Sequence, residues 1–284
     1  MARAQEQKNA IDRNNHVRGR SLFFMLLFFQ LLTVNSSAQS NPSPKDIKQI
    51  FPAGKLAADY KFHFPQQFEE ITMPATDGIK LNALLFKADS SKGIILYLHG
   101  NADALDQWGK IAGTYINLHY DLFMPDYRGY GKSEGSVKNE EQIYSDAQTA
   151  YNYLKLKYPE NKIIVLGYSI GTGPAAYLAA NNHPRKLILQ APYYSLADAA
   201  HHLFPTADTT GIPFHFYTYQ FLKTTTSPVV IFHGDADKVI YYGSSQKLKL
   251  FFKPGDELIT LKGAGHLDMN TNKDYLDGLK RVLR

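Results

Sequence analysis

Two serines in the chain sit in a G-x-S-x-G arrangement, the pattern around many acyl-transfer nucleophiles. One is Gly131-Lys132-Ser133-Glu134-Gly135 and the other is Gly167-Tyr168-Ser169-Ile170-Gly171. The first closes the stretch DYRGYGKSEG, Asp126 to Gly135, whose Gly-Lys-Ser is also the tail of a phosphate-binding loop. That second reading fails on spacing. A phosphate loop needs glycine five residues before its Gly-Lys-Ser, and the position holds Asp126, whose carboxylate would repel an anion. A helix should follow at once to present its N–H groups, whereas Glu134, Gly135 and Ser136 intervene. Gly171-Thr172-Gly173-x-x-Ala176 matches a dinucleotide fingerprint, but the next strand-like run, 186–190, ends without the acidic residue that holds a ribose.

Context separates the serines. A nucleophile elbow needs a buried strand feeding a sharp turn into a helix. Ser169 follows the apolar run Ile-Ile-Val-Leu and precedes Gly173-Pro174-Ala175-Ala176, which can open a helix; Ser133 sits in a glycine-rich loop before a charged turn. Ser169 is the candidate nucleophile. A serine needs a base and an acid that orients it, which follow on later post-strand loops in the order Ser, Asp or Glu, His. The run 229–232 leads into His233-Gly234-Asp235-Ala236-Asp237, and 258–261 leads into Gly263-Ala264-Gly265-His266. His266 is thus the candidate base, with Asp235 or Asp237 as the acid. Leu98-His99-Gly100-Asn101 ends an earlier buried run, and an oxyanion needs two N–H donors. The backbone N–H groups of Asn101 and Ile170 are placed for that role.

The elements that must position these residues read as strands first, then alternation. Runs 68–73 and 79–88 flank Thr76-Asp77-Gly78 as an antiparallel hairpin. Runs 93–98, 120–125, 162–167, 186–190, 229–232 and 258–261 read as further strands, with helices over 108–118, 140–158, 174–181, 244–252 and 274–283. Such alternation predicts an α/β protein with a mostly parallel sheet and helices on both faces. Residues 192–227 break it, and their aromatics suit a small cap insertion over the site. Within it PFHFYTYQF, 213–221, can serve as the wall of an acyl pocket or as the glue of the cap.

Composition narrows the classes. The 284 residues are 44% apolar, enough for one large core, and contain no cysteine, which excludes disulfides, thiolate nucleophiles and Cys-bound metal. No H-x-x-x-H or H-E-x-x-H accompanies His201 and His202, so no metal and no other cofactor is expected. Arg13, Arg18 and Arg20 precede the apolar run 22–34, and Ser36 and Ala38 suit cleavage before Gln39. Residues 1–38 therefore read as a cleaved signal, predicting an exported, periplasmic or secreted protein, with a membrane anchor as the alternative. The segment carries five basic and two acidic side chains, +3 of the total +5, which leaves no charge argument for nucleic acid. Thirteen residues, Gln30 and Thr33 among them, are short for a bilayer span, so no stable span is expected once the signal is removed.

Leu-His-Gly-Asn-Ala (98–102), DYRGYGKSEG (126–135), Gly-Tyr-Ser-Ile-Gly (167–171), His-Gly-Asp-Ala-Asp-Lys-Val (233–239) and Gly-His (265–266) together resemble the α/β-hydrolase superfamily. The group they resemble is the serine-aminopeptidase-like hydrolases, which includes monoacylglycerol lipases and protein depalmitoylases. The resemblance runs from about residue 68 to the C-terminus. It implies that the 126–135 loop is structural and that Asp237, not Asp235, is the acid. The expected organisation is a signal over 1–38, a linker and extension over 39–67, and an α/β-hydrolase domain over 68–284 with its cap at 192–227. The expected activity is cleavage of a carboxylic ester or thioester, from a small-molecule or acylated substrate, by Ser169, His266 and Asp237. Amide or peptide hydrolysis by the same residues, or a hydrolase-fold binding protein, is the alternative.

Overall fold

Apolar runs without polar alternation can be satisfied only in a sheet covered on both faces. The computed structural model, which describes residues 51–203, 205 and 214–284, has that sheet. The expected signal lies outside the described residues. Eight strands, β1 (Phe68–Pro74), β2 (Lys80–Phe86), β3 (Ile94–Leu98), β4 (Asp121–Pro125), β5 (Ile163–Tyr168), β6 (Lys186–Gln190), β7 (Val229–Gly234) and β8 (Glu257–Leu261), line up in the order β1-β2-β4-β3-β5-β6-β7-β8. The pairs β1–β2 and β2–β4 are antiparallel and the remaining pairs parallel.

Alternate residues of each strand face opposite layers. Ile95, Tyr97, Ile164, Leu166, Ile188 and Phe232 enter one, with Leu105, Ala112, Tyr115 and Leu279 from helices α1 (Leu105–Trp108), α2 (Ala112–Ile116) and α8 (Lys273–Val282). Ile94, Leu96, Val165, Leu189 and Ile231 enter the other, where α3 (Glu140–Lys155), α4 (Thr172–Asn181), α6 (Thr218–Thr224) and α7 (Gly243–Leu248) pack. Asn139 and Asn272 cap α3 and α8 by accepting the N–H of Gln142 and Tyr275. Among the described residues no helix is long and apolar enough to cross a membrane.

The expected helix over 108–118 is broken. A 3-10 turn at Gly109–Ile111 separates α1 from α2, because the ring of Phe64 presses on Gly109 where any side chain would stand. Phe64 belongs to a strap, residues 51–66, that runs along the body. Gly131 N–H donates to the Gly54 carbonyl (2.6 Å) and Leu56 N–H to the Gly131 carbonyl (3.1 Å), a parallel bridge. Lys132 Nζ donates to the Tyr60 carbonyl (3.2 Å), and Phe64 meets the rings of Phe68 and Phe86. Residues 192–227 contribute α5 (Leu196–Leu203) and α6, with 204 and 206–213 outside the described residues.

Two polar groups of side chains tie layers together. In the first layer Gln190 accepts from Tyr97 (3.3 Å) and donates to Tyr275, while Tyr115 and Tyr275 share a hydrogen bond (3.1 Å). Burial pushes the Tyr115 phenol up to about 12, and lifts those of Tyr97 and Tyr275 well above their ordinary value. In the second group Arg128, 2% exposed, donates twice to the Asp146 carboxylate of α3 (2.6 Å each) and twice to Asp77 of the β1–β2 turn (2.8 and 3.5 Å). Breaking a buried pair strands a charge, whereas replacing both partners by apolar groups does not. Arg128→Ala is expected to lose about 3–5 kcal/mol in urea denaturation. Arg128→Met combined with Asp146→Leu should recover most of it.

Candidate active site

The order of strands brings the sequence candidates to one end of the sheet. β3, β5, β7 and β8 are parallel, so the loops after them all leave at their carboxyl ends. β3 and β5 are neighbours, with Leu98 opposite Gly167.

Ser169 stands between β5 and α4 with φ +53°, the left-handed region that costs an L-residue energy. The turn is tight. A side chain at Gly167 would lie 2.7 Å from Ala175, and one at Gly171 would lie 2.7 Å from the His99 carbonyl oxygen. The close approach at Gly171 brings this turn against the end of β3. Tyr193 fastens the first helical turn by donating to the Ile170 carbonyl (2.9 Å) and accepting the Gly173 N–H (3.0 Å).

His266 begins a 3-10 turn (His266–Thr271) after β8, and Tyr168 fixes its backbone by donating to its carbonyl (2.8 Å). Its Nδ1–H donates to Asp237 Oδ2 (2.7 Å), which leaves Nε2 to accept from Ser169 Oγ (3.0 Å). The three side chains are buried: Ser169 is 5%, His266 4% and Asp237 8% exposed. Asp237 Oδ1 accepts the N–H groups of Val239 (2.8 Å) and Ile240 (3.0 Å). Burial would raise the Asp237 carboxyl, but the imidazoles of His266 and His233 and these hydrogen bonds hold it well below the usual carboxylate range.

The rejected candidates have other partners. Asp235 turns to the Gly263 N–H (2.6 Å) and Lys262 (3.5 Å). Ser133, 1% exposed, accepts the Asn82 N–H and donates to the Asp126 carbonyl, both at 2.9 Å, splicing β2 to its loop. The Asn101 side chain is turned into its own loop, where Oδ1 accepts from Tyr130 (2.8 Å) and from the Ala102 N–H (3.1 Å). Ala102 and Asp103 both have positive φ, and Trp108 donates to the Ala102 carbonyl (3.1 Å). Sequence reasoning did not single out Tyr168 or Tyr193, nor the contact of His233 with Ser245 (2.6 Å) and with Asp237 (3.4 Å). Of the cap aromatics, Phe214 and Phe216 join the buried cluster around Ile170, while Phe221 meets Tyr144 and Tyr177 on α3 and α4.

Known proteins share this arrangement of chain. Residues 89–211 match the family model described as serine aminopeptidase, S33. Alpha/beta hydrolase domain-containing protein 17B from Homo sapiens is 34% identical over 201 residues, 68% of this chain and 67% of its own length. The chain belongs to the α/β-hydrolase superfamily. It is a hydrolase. Protein 17C from Mus musculus is also 34% identical, over 203 residues, 69% of this chain and 61% of that protein, so the match spans about three fifths of the 17C relative. The Pyrococcus furiosus esterase Pf2001 superposes with a TM-score of 0.64 at 17% identity, over 81% of this chain and 98% of that one. An esterase domain from Rhodothermus marinus gives 0.58 at 19%, over 76% and 96%. These two structures share the fold.

The expectation of export is corrected by the same relatives. Those that establish the family are alpha/beta hydrolase domain-containing proteins 17B and 17C, and this kinship gives no support to a secreted protein. A basic flank before the mainly apolar run 22–34 does not by itself specify a route across a membrane.

Asp237 leads to a pH prediction. Its folded carboxyl is held below its unfolded value, so its contribution is complete above that value and fades as pH falls through the folded one. Asp237→Asn should cost about 1.5–3 kcal/mol of stability at neutral pH, as for hydrogen bonds to a charged group. The gap to wild type should close progressively below about pH 4, read by chemical denaturation across pH.

Proposed function

We propose that this α/β hydrolase is a serine hydrolase that cleaves a carboxylic ester or thioester through an acyl-enzyme. The observation that carries the reading is the single imidazole of His266 joining Ser169 Oγ at 3.0 Å to Asp237 Oδ2 at 2.7 Å. Neutral His266 takes the Ser169 proton at Nε2 as Oγ attacks the acyl carbonyl. The carbonyl oxygen becomes an oxyanion, and the backbone N–H groups of Asn101 and Ile170 receive it. Ile170 lies at the start of the 3-10 turn and helix that follow the nucleophile, where the helix dipole favours negative charge. Collapse of the intermediate breaks the bond to the leaving oxygen or sulfur, which takes the proton from His266. Water then repeats the sequence on the acyl-enzyme, releasing the acid and restoring Ser169.

Asp237 keeps the imidazole in the tautomer with Nδ1–H and stabilises the imidazolium that forms. Its lowered pKa supports that role, because it stays ionised wherever His266 can act as a base. We further propose that one hydrolase domain begins near residue 68 and carries residues 192–227 as its cap. The substrate is a small-molecule ester or an acylated compound.

Reaction with a fluorophosphonate probe and turnover of p-nitrophenyl esters test the reading. Ser169→Ala is expected to abolish labelling and lower turnover by about 10⁶, while Ser133→Ala keeps the label. Asp237→Asn should lower kcat by about 10⁴, and Asp235→Asn far less. Labelling that survives Ser169→Ala and is lost in Ser133→Ala would reverse the assignment. Equal losses from the two aspartate variants would remove Asp237 from the mechanism.

A further inference from the structure

The acyl half of a substrate has to lie beside the elbow, where Ile170 packs in one buried cluster with Tyr127, Tyr130, Tyr193, Phe216 and Phe51. Each tyrosine hydroxyl in this group is engaged: Tyr127 donates to the His99 carbonyl (2.8 Å), Tyr130 to Asn101, and Tyr193 to the Ile170 carbonyl. The cluster therefore offers an occupant ring and aliphatic surface. A polar group lodged there would lack a partner. Ser169 is 5% exposed, so it opens to solvent over a small area only.

The phenylalanines of this cluster come from two separate parts of the chain. The Phe216 N–H and the His215 N–H both donate to the Glu140 carboxylate (2.8 and 2.7 Å), and the Phe216 carbonyl accepts from Thr218 (2.8 Å). Phe51, 6% exposed, reaches the cluster with its ring, whose centroid is 4.9 Å from that of Phe214 and 6.3 Å from that of Phe216. Among the described residues its one backbone hydrogen bond is within its own turn, from the Ala53 N–H (2.8 Å). The strap is clamped three residues later, at Gly54. There the carbonyl accepts from Gly131, and a side chain would stand 2.9 Å from the Asp103 carbonyl carbon. Phe51 thus sends its ring from the strap into an apolar group otherwise built by Tyr127, Tyr130, Ile170, Tyr193, Phe214 and Phe216.

We propose that the Phe51 ring fills the far end of the acyl site and sets the length of chain that Ser169 accepts. Short acyl groups fit with the ring in place, and a longer unbranched aliphatic chain enters only by displacing it. This inference rests on the acyl-hydrolase reading above. Each methylene fitted or excluded in an apolar pocket changes specificity about tenfold or more.

The test compares kcat/KM for p-nitrophenyl dodecanoate and acetate in the full chain. The dodecanoate-to-acetate ratio is expected to rise about tenfold or more in Phe51→Ala, to rise less in Phe51→Leu, and to fall in Phe51→Trp. Phe51→Leu serves where the alanine variant does not fold. Dodecanoate binding by calorimetry, in a Ser169→Ala background, should tighten about tenfold when Phe51 is shortened. Ratios and affinities within about threefold of the parent in all variants would overturn the proposal. A wild-type protein inert to both esters and to fluorophosphonate would overturn the hydrolase reading instead, and dodecanoate binding would still decide for or against the Phe51 site.

Discussion

The backbone of Ser169 is the constraint on which the site depends. An L-residue at φ +53° is disfavoured by about 1–2 kcal/mol, and holds only where its surroundings over-determine it. Here they do. Gly167 and Gly171 let β5, the turn and the end of β3 approach without intervening side chains. Thr172 Oγ1 donates to the Ser169 carbonyl (2.6 Å), and Tyr193 clamps both Ile170 and Gly173. The strain lifts Oγ clear of the strand ends to where His266 meets it.

Two His-Gly turns show how one local sequence is given two uses. His99 and His233 are both fully buried, and each faces a carboxylate at 3.4 Å, Asp126 and Asp237. The His99 ring donates to the Gly100 carbonyl (2.8 Å) and stacks on Trp108, and burial raises the Asp126 carboxyl. His233 is instead pinned between Ser245 and the Ile240 carbonyl (2.9 Å), and its field falls on a carboxylate already paired with His266. The difference lies in what the carboxylate meets on its other side.

Much of this was legible in the sequence, for identifiable reasons. Buried parallel strands are uninterrupted apolar runs, so β3, β5, β6 and β7 stood out, and the order of the loops after them suggested Ser169 and His266. The choice of Asp237 over Asp235 came from family resemblance, because two loop carboxylates two residues apart carry no local mark of which turns inward. The strap was not visible, since residues 51–66 have no periodicity and are held by isolated rings and a single bridge. The break at Gly109 follows from that same strap and could not be read without it. Tyr168 and Tyr193 escaped because a core tyrosine reads as apolar until its hydroxyl's distant partner is known.

The phenols gathered around Gln190 have an optical consequence. Tyr97, Tyr115 and Tyr275 stay protonated in the native molecule at pH values where an exposed tyrosine, near about 10, has ionised. The unfolded chain releases those protons and the native chain keeps them, so alkali removes stability from about pH 10 upward. Phenolate absorbance from these three side chains therefore appears only when the layer between the sheet and the α2 and α8 helices opens. The core carries its own chromophore for that event.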